Sequence, residues 1–122
     1  MIDHISIKVK DFERMSAYYA EVLGTLGYHK GMEYPGGLQL VDDADGDNTW
    51  VNAAEGETAP THLAWRAKNA DEVKAFYEAA LAAGGTDNGA PGPRDYHPGY
   101  YACFVHDPEG NNIEAVLHDW EG

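Results

Sequence analysis

A glutamate stands in the middle of an apolar strand pattern near the end of the chain. In the segment NNIEAVLH, residues 111–118, Glu114 lies between Ile113 and Ala115. Ionised carboxylates are depleted from strand interiors because burying the charge is costly unless the charge is paired. Glu114 must therefore either face water or have a partner.

Two histidines are candidates for the same site. An internal repeat aligns residues 4–27 with residues 62–85 without a gap, and it pairs His4 with His62. Because side chains alternate between the faces of a strand, both histidines and Glu114 are predicted to point away from the apolar core. If the two sheets curl around a common cleft, these three side chains line it. Two imidazoles and one carboxylate suit a divalent first-row metal and leave positions open for substrate, water or dioxygen.

A structural explanation without any function must be weighed beside the metal hypothesis. An antiparallel sheet with one solvent-exposed face carries polar side chains on that face without any function. A single histidine on such a face is more often solvated than bound to a metal. The repeat favours the metal, because His4 and His62 occupy the same place in the two copies. Nitrogen and oxygen ligands admit Fe(II), Mn(II), Ni(II), Co(II) or Zn(II), so we expect one divalent ion of unassigned identity.

The repeat also predicts the elements that position these residues. Each copy begins with a pattern of period two and continues with apolar residues at helical spacing. We expect an α+β fold, a single domain over residues 1–122, built from two tandem βαβββ units at about 1–57 and 58–122. Antiparallel-rich mixed sheets are expected to curl around a shared metal-binding cleft. The later strands are predicted at 37–42 and 48–53 in the first unit and at 99–105 and 111–118 in the second, with weaker strand patterns at 28–32 and near Asp87.

Composition limits the classes of partner. The chain has 122 residues, 43% of them hydrophobic, and a formal net charge of −13, which disfavours nucleic acid and anionic membranes. No apolar run approaches the roughly 20 residues of a membrane span, and no leader pattern precedes the first strand. The lone Cys103 excludes an intrachain disulfide and a cysteine-cluster zinc site, and it fits a reducing compartment. We expect a cytoplasmic protein whose partner is a small molecule.

The chain resembles the vicinal oxygen chelate superfamily, which includes glyoxalase I, extradiol ring-cleaving dioxygenases, fosfomycin-modifying transferases and bleomycin-resistance proteins. The segments that carry the resemblance are IDHISIKVKDFERMSAYYAEVLG, THLAWRAKNADEVKAFYEAAL and FVHDPEGNNIEAV, and the run DPEGNNIE is the most specific. The resemblance implies that His4, His62 and Glu114 bind the metal and that a substrate chelates it through adjacent oxygens. It implies lyase, isomerase or dioxygenase chemistry, and it suggests a homodimer.

The first unit departs from glyoxalase I, which generally takes a fourth ligand, often glutamate, from the last strand of that unit. Here that strand reads DNTWVNAAE, and Trp50 or Asn52 lies near the position of the fourth ligand. The departure disfavours methylglyoxal isomerisation. A fosfomycin-transferase-like enzyme is disfavoured by the segment GPRDYHPGYYACF. Ring-cleaving dioxygenases usually have longer chains with four units, although short two-unit relatives exist. A non-catalytic, bleomycin-resistance-like binding protein remains the alternative from another functional class.

The loop RDYHPGYY, residues 94–101, supplies the remaining candidate residues. As a lid over the cleft it would place His97 to shuttle a proton, and Tyr100 or Tyr101 to stack on substrate or donate a hydrogen bond to an oxyanion. The alternative is a surface loop whose aromatic residues pack its ends. We assign four further residues to the substrate pocket: Trp50, Asn52, Arg94 and Tyr96.

Other polar residues are not expected to be ligands. His29, His106 and His118 are predicted to lie outside the metal set. The acidic run DDADGD, residues 42–47, lacks the bidentate glutamate and flanking helices of a calcium loop, so we expect a solvated hairpin loop. Cys103 is expected to be a small buried hydrophobe.

Overall fold

The structure, a computed structural model, describes residues 1–122 and divides them into two compact units, Met1–Ala59 and Pro60–Gly122. The first unit contains β1 (His4–Val9), α1 (Phe12–Gly24), β2 (Tyr28–Tyr34), β3 (Gly37–Asp42) and β4 (Asn48–Ala53). The second contains β5 (His62–Arg66), α2 (Ala70–Ala82), β6 (Thr86–Asp87), β7 (Gly92–Pro93), β8 (Tyr101–His106) and β9 (Asn112–Leu117). The predicted α+β class and the repeated βαβββ plan are confirmed.

Each unit has one mixed sheet with the same connectivity. The strand order is β1-β4-β3-β2 in the first sheet and β5-β9-β8-β6 in the second, and β7 pairs with β8. In each sheet the first strand runs parallel to the last one and the remaining pairs are antiparallel. The first residue of β1 and of β5 is therefore a histidine in the same position of the same motif.

The helices form where capping and apolar spacing agree. Asp11 caps α1, because its side chain accepts a hydrogen bond from the Arg14 amide at 3.3 Å. Asn69 caps α2 in the same way, accepting from the Glu72 amide at 2.8 Å. The buried helix residues recur at helical spacing and form the core with the adjacent sheet face: Met15, Tyr18, Tyr19, Val22, Leu23, Val73, Phe76 and Ala80.

The structure extends and corrects the strand predictions. The weak pattern at residues 28–32 becomes a strand of seven residues, β2, which bulges against β3 between Lys30 and Glu33. The two-residue strand β7 was not predicted, because Gly92 and Pro93 are typical of turns and only their pairing with β8 makes them a strand. Neither helix of the chain has the length and apolar character required to span a membrane.

Candidate metal centre

Glu114 does not face water. It lies in the middle of β9, between β5 and β8, and only 2% of its surface is exposed. Its carboxylate has two partners from separate elements. The Nε2 atom of His62 lies 3.1 Å from Oε1, and the hydroxyl of Tyr100 donates to Oε2. The carboxylate singled out by the strand pattern is thus buried, and each of its oxygens lies next to a side chain of the same unit.

The tautomer of His62 follows from its other contact. The Nδ1 atom lies 2.9 Å from the backbone oxygen of Asn112. Because a carbonyl oxygen only accepts, Nδ1 carries the hydrogen, and Nε2 of the neutral ring has a lone pair. That lone pair and the Glu114 oxygen face each other. Either a second proton on the ring or a cation must lie between them.

The distance fits two ligands of one ion. Metal bonds to histidine nitrogen and carboxylate oxygen measure about 2.0 to 2.2 Å, so two such ligands about 90° apart are separated by about 3 Å. The observed 3.1 Å between Nε2 and Oε1 agrees with this value. A nitrogen fixed by a hydrogen bond on the far side of the ring is also the usual arrangement of a metal-binding histidine. His62 and Glu114 therefore fit a divalent metal.

Tyr100 holds the other carboxylate oxygen. Its ring packs edge-on against three neighbours at centroid distances of 4.9 Å (Tyr96), 5.2 Å (His97) and 5.3 Å (His118). Burial first, and then the hydrogen bond to Glu114, raise the pKa of Tyr100 to about 12. The hydroxyl is therefore a donor throughout the neutral pH range. The sequence suggested a contact with substrate, whereas the structure places this hydroxyl on Glu114.

The other residues of the 94–101 loop have different neighbours. His97 approaches His118, with Nε2 3.0 Å from Nδ1, while its own Nδ1 lies 2.8 Å from the Pro98 oxygen. Since that oxygen accepts, the His97 Nε2 of the neutral ring accepts a hydrogen bond from His118 Nδ1. This pair could not be predicted from the sequence, because His118 is 21 residues from His97.

The remaining loop candidates make other contacts. The guanidinium of Arg94 donates to the oxygens of Ala90 and Gly92, each at 2.9 Å, and lies 5.4 Å above the Phe104 ring. The ring of Tyr101 packs against Trp120 on the face of the sheet opposite Glu114, as its pairing with Leu117 requires. Tyr96 is 67% exposed.

In the first unit, His4 lies at the start of β1 beside an open cleft. Its Nδ1 atom is 2.7 Å from Oδ1 of Asp3, so Nδ1 carries the hydrogen and Nε2 has the lone pair. The cleft has a volume of about 490 Å³, and Trp50 and Asn52 line it together with His4. The structure thus brings three predicted site residues together within this unit. Asp3 was not among the predicted site residues, although a carboxylate next to a candidate ligand histidine is a recognisable signal.

The strand register identifies what stands at the position of a fourth ligand. In the second unit Ala64, two residues after His62, pairs with Glu114. In the first unit Ser6, two residues after His4, pairs with Trp50. Trp50 is therefore the counterpart of Glu114, and an indole offers no lone pair to a metal.

Two further features are the acidic turn and the lone cysteine. The acidic run forms the turn between β3 and β4, and one ligand atom from each of Asp42, Asp45 and Asp47 lies within 4.8 Å of the others. Cys103 is fully buried, and its thiol donates to the Val73 oxygen at 3.4 Å. Burial raises the pKa of this thiol to about 12, so it is a structural residue as expected.

Sequence comparison identifies the family. The Glyoxalase/Bleomycin resistance protein/Dioxygenase superfamily matches residues 1–115. The chain belongs to this superfamily. No curated protein matches the chain significantly in sequence.

Solved structures share the fold over nearly the whole chain. A glyoxalase/bleomycin resistance protein from Albidiferax ferrireducens T118 is 28% identical, with a TM-score of 0.82 over 96% of this chain and 98% of that one. A family enzyme from Burkholderia phytofirmans PsJN is 23% identical, with a TM-score of 0.73 over 95% and 97% of the two chains. Lactoylglutathione lyase from Agrobacterium tumefaciens is 17% identical, with a TM-score of 0.71 over 96% and 92%. The last two likenesses show the fold alone.

Proposed function

We propose that this superfamily member is a divalent-metal-dependent enzyme that binds a small substrate through two adjacent oxygens, with lyase, isomerase or dioxygenase chemistry. The proposal is supported mainly by one contact: His62 Nε2 lies 3.1 Å from Glu114 Oε1, and the Glu114 side chain is buried. A lone pair facing a carboxylate oxygen is the donor arrangement that a first-row metal requires.

His4 is the proposed third ligand. Its support is the repeat, in which it occupies the place of His62, and the Asp3 contact that leaves its Nε2 as the electron-pair donor. The ligand set of this proposal is His4, His62 and Glu114, with Fe, Mn, Ni, Co or Zn as the ion. When bound, the ion would supply a Lewis acid that polarises two neighbouring substrate oxygens.

The chain's own groups would have distinct tasks. Tyr100 holds Oε2 of Glu114, which leaves Oε1 as the oxygen directed toward His62. The His97–His118 pair holds a proton between Nε2 and Nδ1 and is the candidate proton carrier of the loop. Trp50 and Asn52, together with His4, would form part of the substrate pocket, and Arg94 and Tyr96 remain proposed members of it.

The absence of a fourth carboxylate limits the reaction. Trp50 stands where a ligand from the first unit would stand, so the proposed set has three protein ligands. We therefore propose a reaction in which substrate or water occupies the remaining coordination positions of the ion. We do not propose methylglyoxal isomerisation.

A non-catalytic binding protein is the second candidate. One observation favours it: a doubly protonated His62 would pair with Glu114 at the same 3.1 Å without any metal. In that case the buried pair would be structural, and the protein would sequester a small molecule.

We also propose a homodimer in the cytoplasm, with a small molecule as its partner. The dimer rests on the family resemblance, and the compartment on the single buried thiol Cys103. Sedimentation velocity at micromolar concentration is expected to show a dimer. A monomer at all concentrations up to about 100 μM would contradict it.

Metal binding by untagged protein tests the proposed function. We expect about one divalent ion per chain by elemental analysis after equilibration with each candidate ion. His4→Ala, His62→Ala and Glu114→Gln should each weaken binding at least about tenfold, because each removes one ligand. His29→Ala is the matched control, since His29 pairs with Asp43 on the surface and is outside the set. Wild-type affinity in any two of the three ligand variants would reject the assignment.

A further inference from the structure

The open face of the first sheet carries a cleft with a polar floor. Ser6 and Gln39 both pair with Trp50 in the strand register, so these three side chains stand beside one another on the face opposite α1. The cleft volume of about 490 Å³ lies in the range of small-molecule sites, about 300 to 1,000 Å³. Its walls belong to neighbouring strands, which hold side chains in fixed positions.

The charged side chains around this cleft disfavour an anion. No lysine or arginine lines it, and the fixed charge at its edge is the carboxylate of Asp3. The whole chain carries a formal net charge of −13. Among the side chains of the cleft, no lysine or arginine would offset the repulsion of a carboxylate or phosphate ligand. The protein groups alone therefore favour an uncharged ligand over an anionic one.

One pair of polar groups matches a hydroxyl. The amide nitrogen of Asn52 donates to the Ser6 hydroxyl oxygen at 2.5 Å. This bond leaves the Asn52 oxygen as an acceptor and the Ser6 hydrogen as a donor, next to each other. A hydroxyl both donates and accepts, whereas an ether or ketone only accepts.

A second pair repeats the pattern on β3 and β4. The Gln39 oxygen accepts from the Met32 amide at 3.0 Å, and its nitrogen donates to the Asn48 oxygen at 3.3 Å. Both contacts fix the orientation of the Gln39 amide. The second hydrogen of its nitrogen and the second lone pair of the Asn48 oxygen again form a donor beside an acceptor.

An aromatic surface stands between these polar pairs. The rings of Tyr34 and Trp50 lie 5.6 Å apart at 36°. The face of an indole is the negative part of its quadrupole, and it attracts the weakly positive C–H hydrogens of a saturated ring. Trp50 thus provides a stacking face at the position where the second unit has Glu114.

We propose that this cleft binds an uncharged saturated ring edged with hydroxyl groups, of the kind found in a neutral glycoside. Such a ring stacks on Trp50 and offers hydroxyls to both donor–acceptor pairs. A simple phenol would stack on Trp50 but leave most of the donors and acceptors of the two polar pairs without a hydrogen-bond partner. The inference names the substrate class of the site that includes His4, and in that sense it rests on the proposed function. Stacking and hydrogen bonding in the cleft do not themselves require a metal.

Ligand-observed NMR titrations of the full chain test the proposal. The probes are the methyl glycosides of glucose, galactose and mannose, with methyl glucuronide, which has a free carboxylate, as the anionic counterpart and 4-methylphenol as the phenolic one. At least one neutral glycoside should bind saturably, and in metal-free protein methyl glucuronide and the phenol should each bind at least about tenfold more weakly than that glycoside. Trp50→Ala should weaken glycoside binding at least about tenfold, whereas Trp120→Phe, a tryptophan of the second unit, should not change it.

Further outcomes separate this inference from the proposed function. Asn52→Lys should shift preference toward methyl glucuronide, because it places a cation in the cleft. The titrations are run on protein as purified and after chelation of metal. Glycoside binding that survives chelation supports the inference whether or not the metal assignment stands. No binding of any neutral glycoside, stronger binding of the glucuronide or the phenol to metal-free protein, or unchanged binding in Trp50→Ala would overturn it even if metal binds as proposed.

Discussion

Glu114 is the residue on which the polar contacts of the second unit converge. Its two oxygens have different roles, since Oε2 accepts from Tyr100 and Oε1 faces His62. A buried carboxylate needs such partners, because an unpaired charge in a strand interior would cost several kcal/mol. Glu114 thus requires polar partners in the folded protein, and it can also bind a cation.

Removal of one hydroxyl tests the role of Tyr100. Tyr100→Phe keeps the ring against its aromatic neighbours but deletes the donor to Oε2. We expect divalent metal affinity to fall about tenfold, as for other groups that orient a ligand, with the fold preserved by circular dichroism. Tyr96→Phe is the matched control, because the Tyr96 side chain is exposed. Equal metal affinity in wild type and Tyr100→Phe would show that the contact does not orient a ligand.

The pH dependence of the same variant follows from the raised pKa of Tyr100. The folded-state pKa of about 12 exceeds the ordinary value of 10.0, so the protonated hydroxyl favours the folded state. This contribution is fully present below about pH 10 and is lost as the pH rises toward about 12. The difference in unfolding free energy between wild type and Tyr100→Phe should therefore be constant at about pH 7 to 9 and shrink above pH 10.

At the scale of elements, the loop before β8 decides whether Tyr100 reaches Glu114. Gly99 has a φ of +87°, and an added Cβ would lie 2.5 Å from the His118 oxygen. The Trp120 amide also donates to the Gly99 oxygen at 3.0 Å. The loop is thus held against the segment that follows β9, and only glycine fits at this position.

Gly99→Ala should displace this loop. The steric contact and the positive φ together are expected to lower the unfolding free energy by about 1 to 3 kcal/mol in urea denaturation. Metal affinity should fall as in Tyr100→Phe, because Tyr100 is the next residue in the chain. Gly56→Ala is the control, since its Cβ would meet no atom within 4 Å. A Gly99→Ala protein as stable as Gly56→Ala would contradict this account of the loop.

At the scale of the whole molecule, the fold was predictable because the sequence repeats itself. The alignment of His4 with His62 fixed the order of elements, and alternation around Glu114 fixed which face each side chain occupies. Only strand pairing shows that Trp50, and not Asn52, stands opposite Ser6. The contact of Tyr100 with Glu114 was not predictable either, because the path of an irregular loop depends on tertiary contacts such as that of Gly99.

The nitrogen atoms of His62 test the central claim most directly, since they distinguish a metal ligand from a charged partner of Glu114. The measurement is a ¹⁵N NMR spectrum of the imidazole rings near neutral pH before and after addition of Zn(II), with the His62 signals assigned from a His62→Gln variant. We expect Nδ1 to keep its hydrogen, which it donates to the Asn112 oxygen, and the Nε2 signal to shift to a metal-coordinated position at about one equivalent of zinc. A His62 ring that remains protonated on both nitrogens after zinc is added would contradict the metal assignment and leave the pair with Glu114 as a structural ion pair.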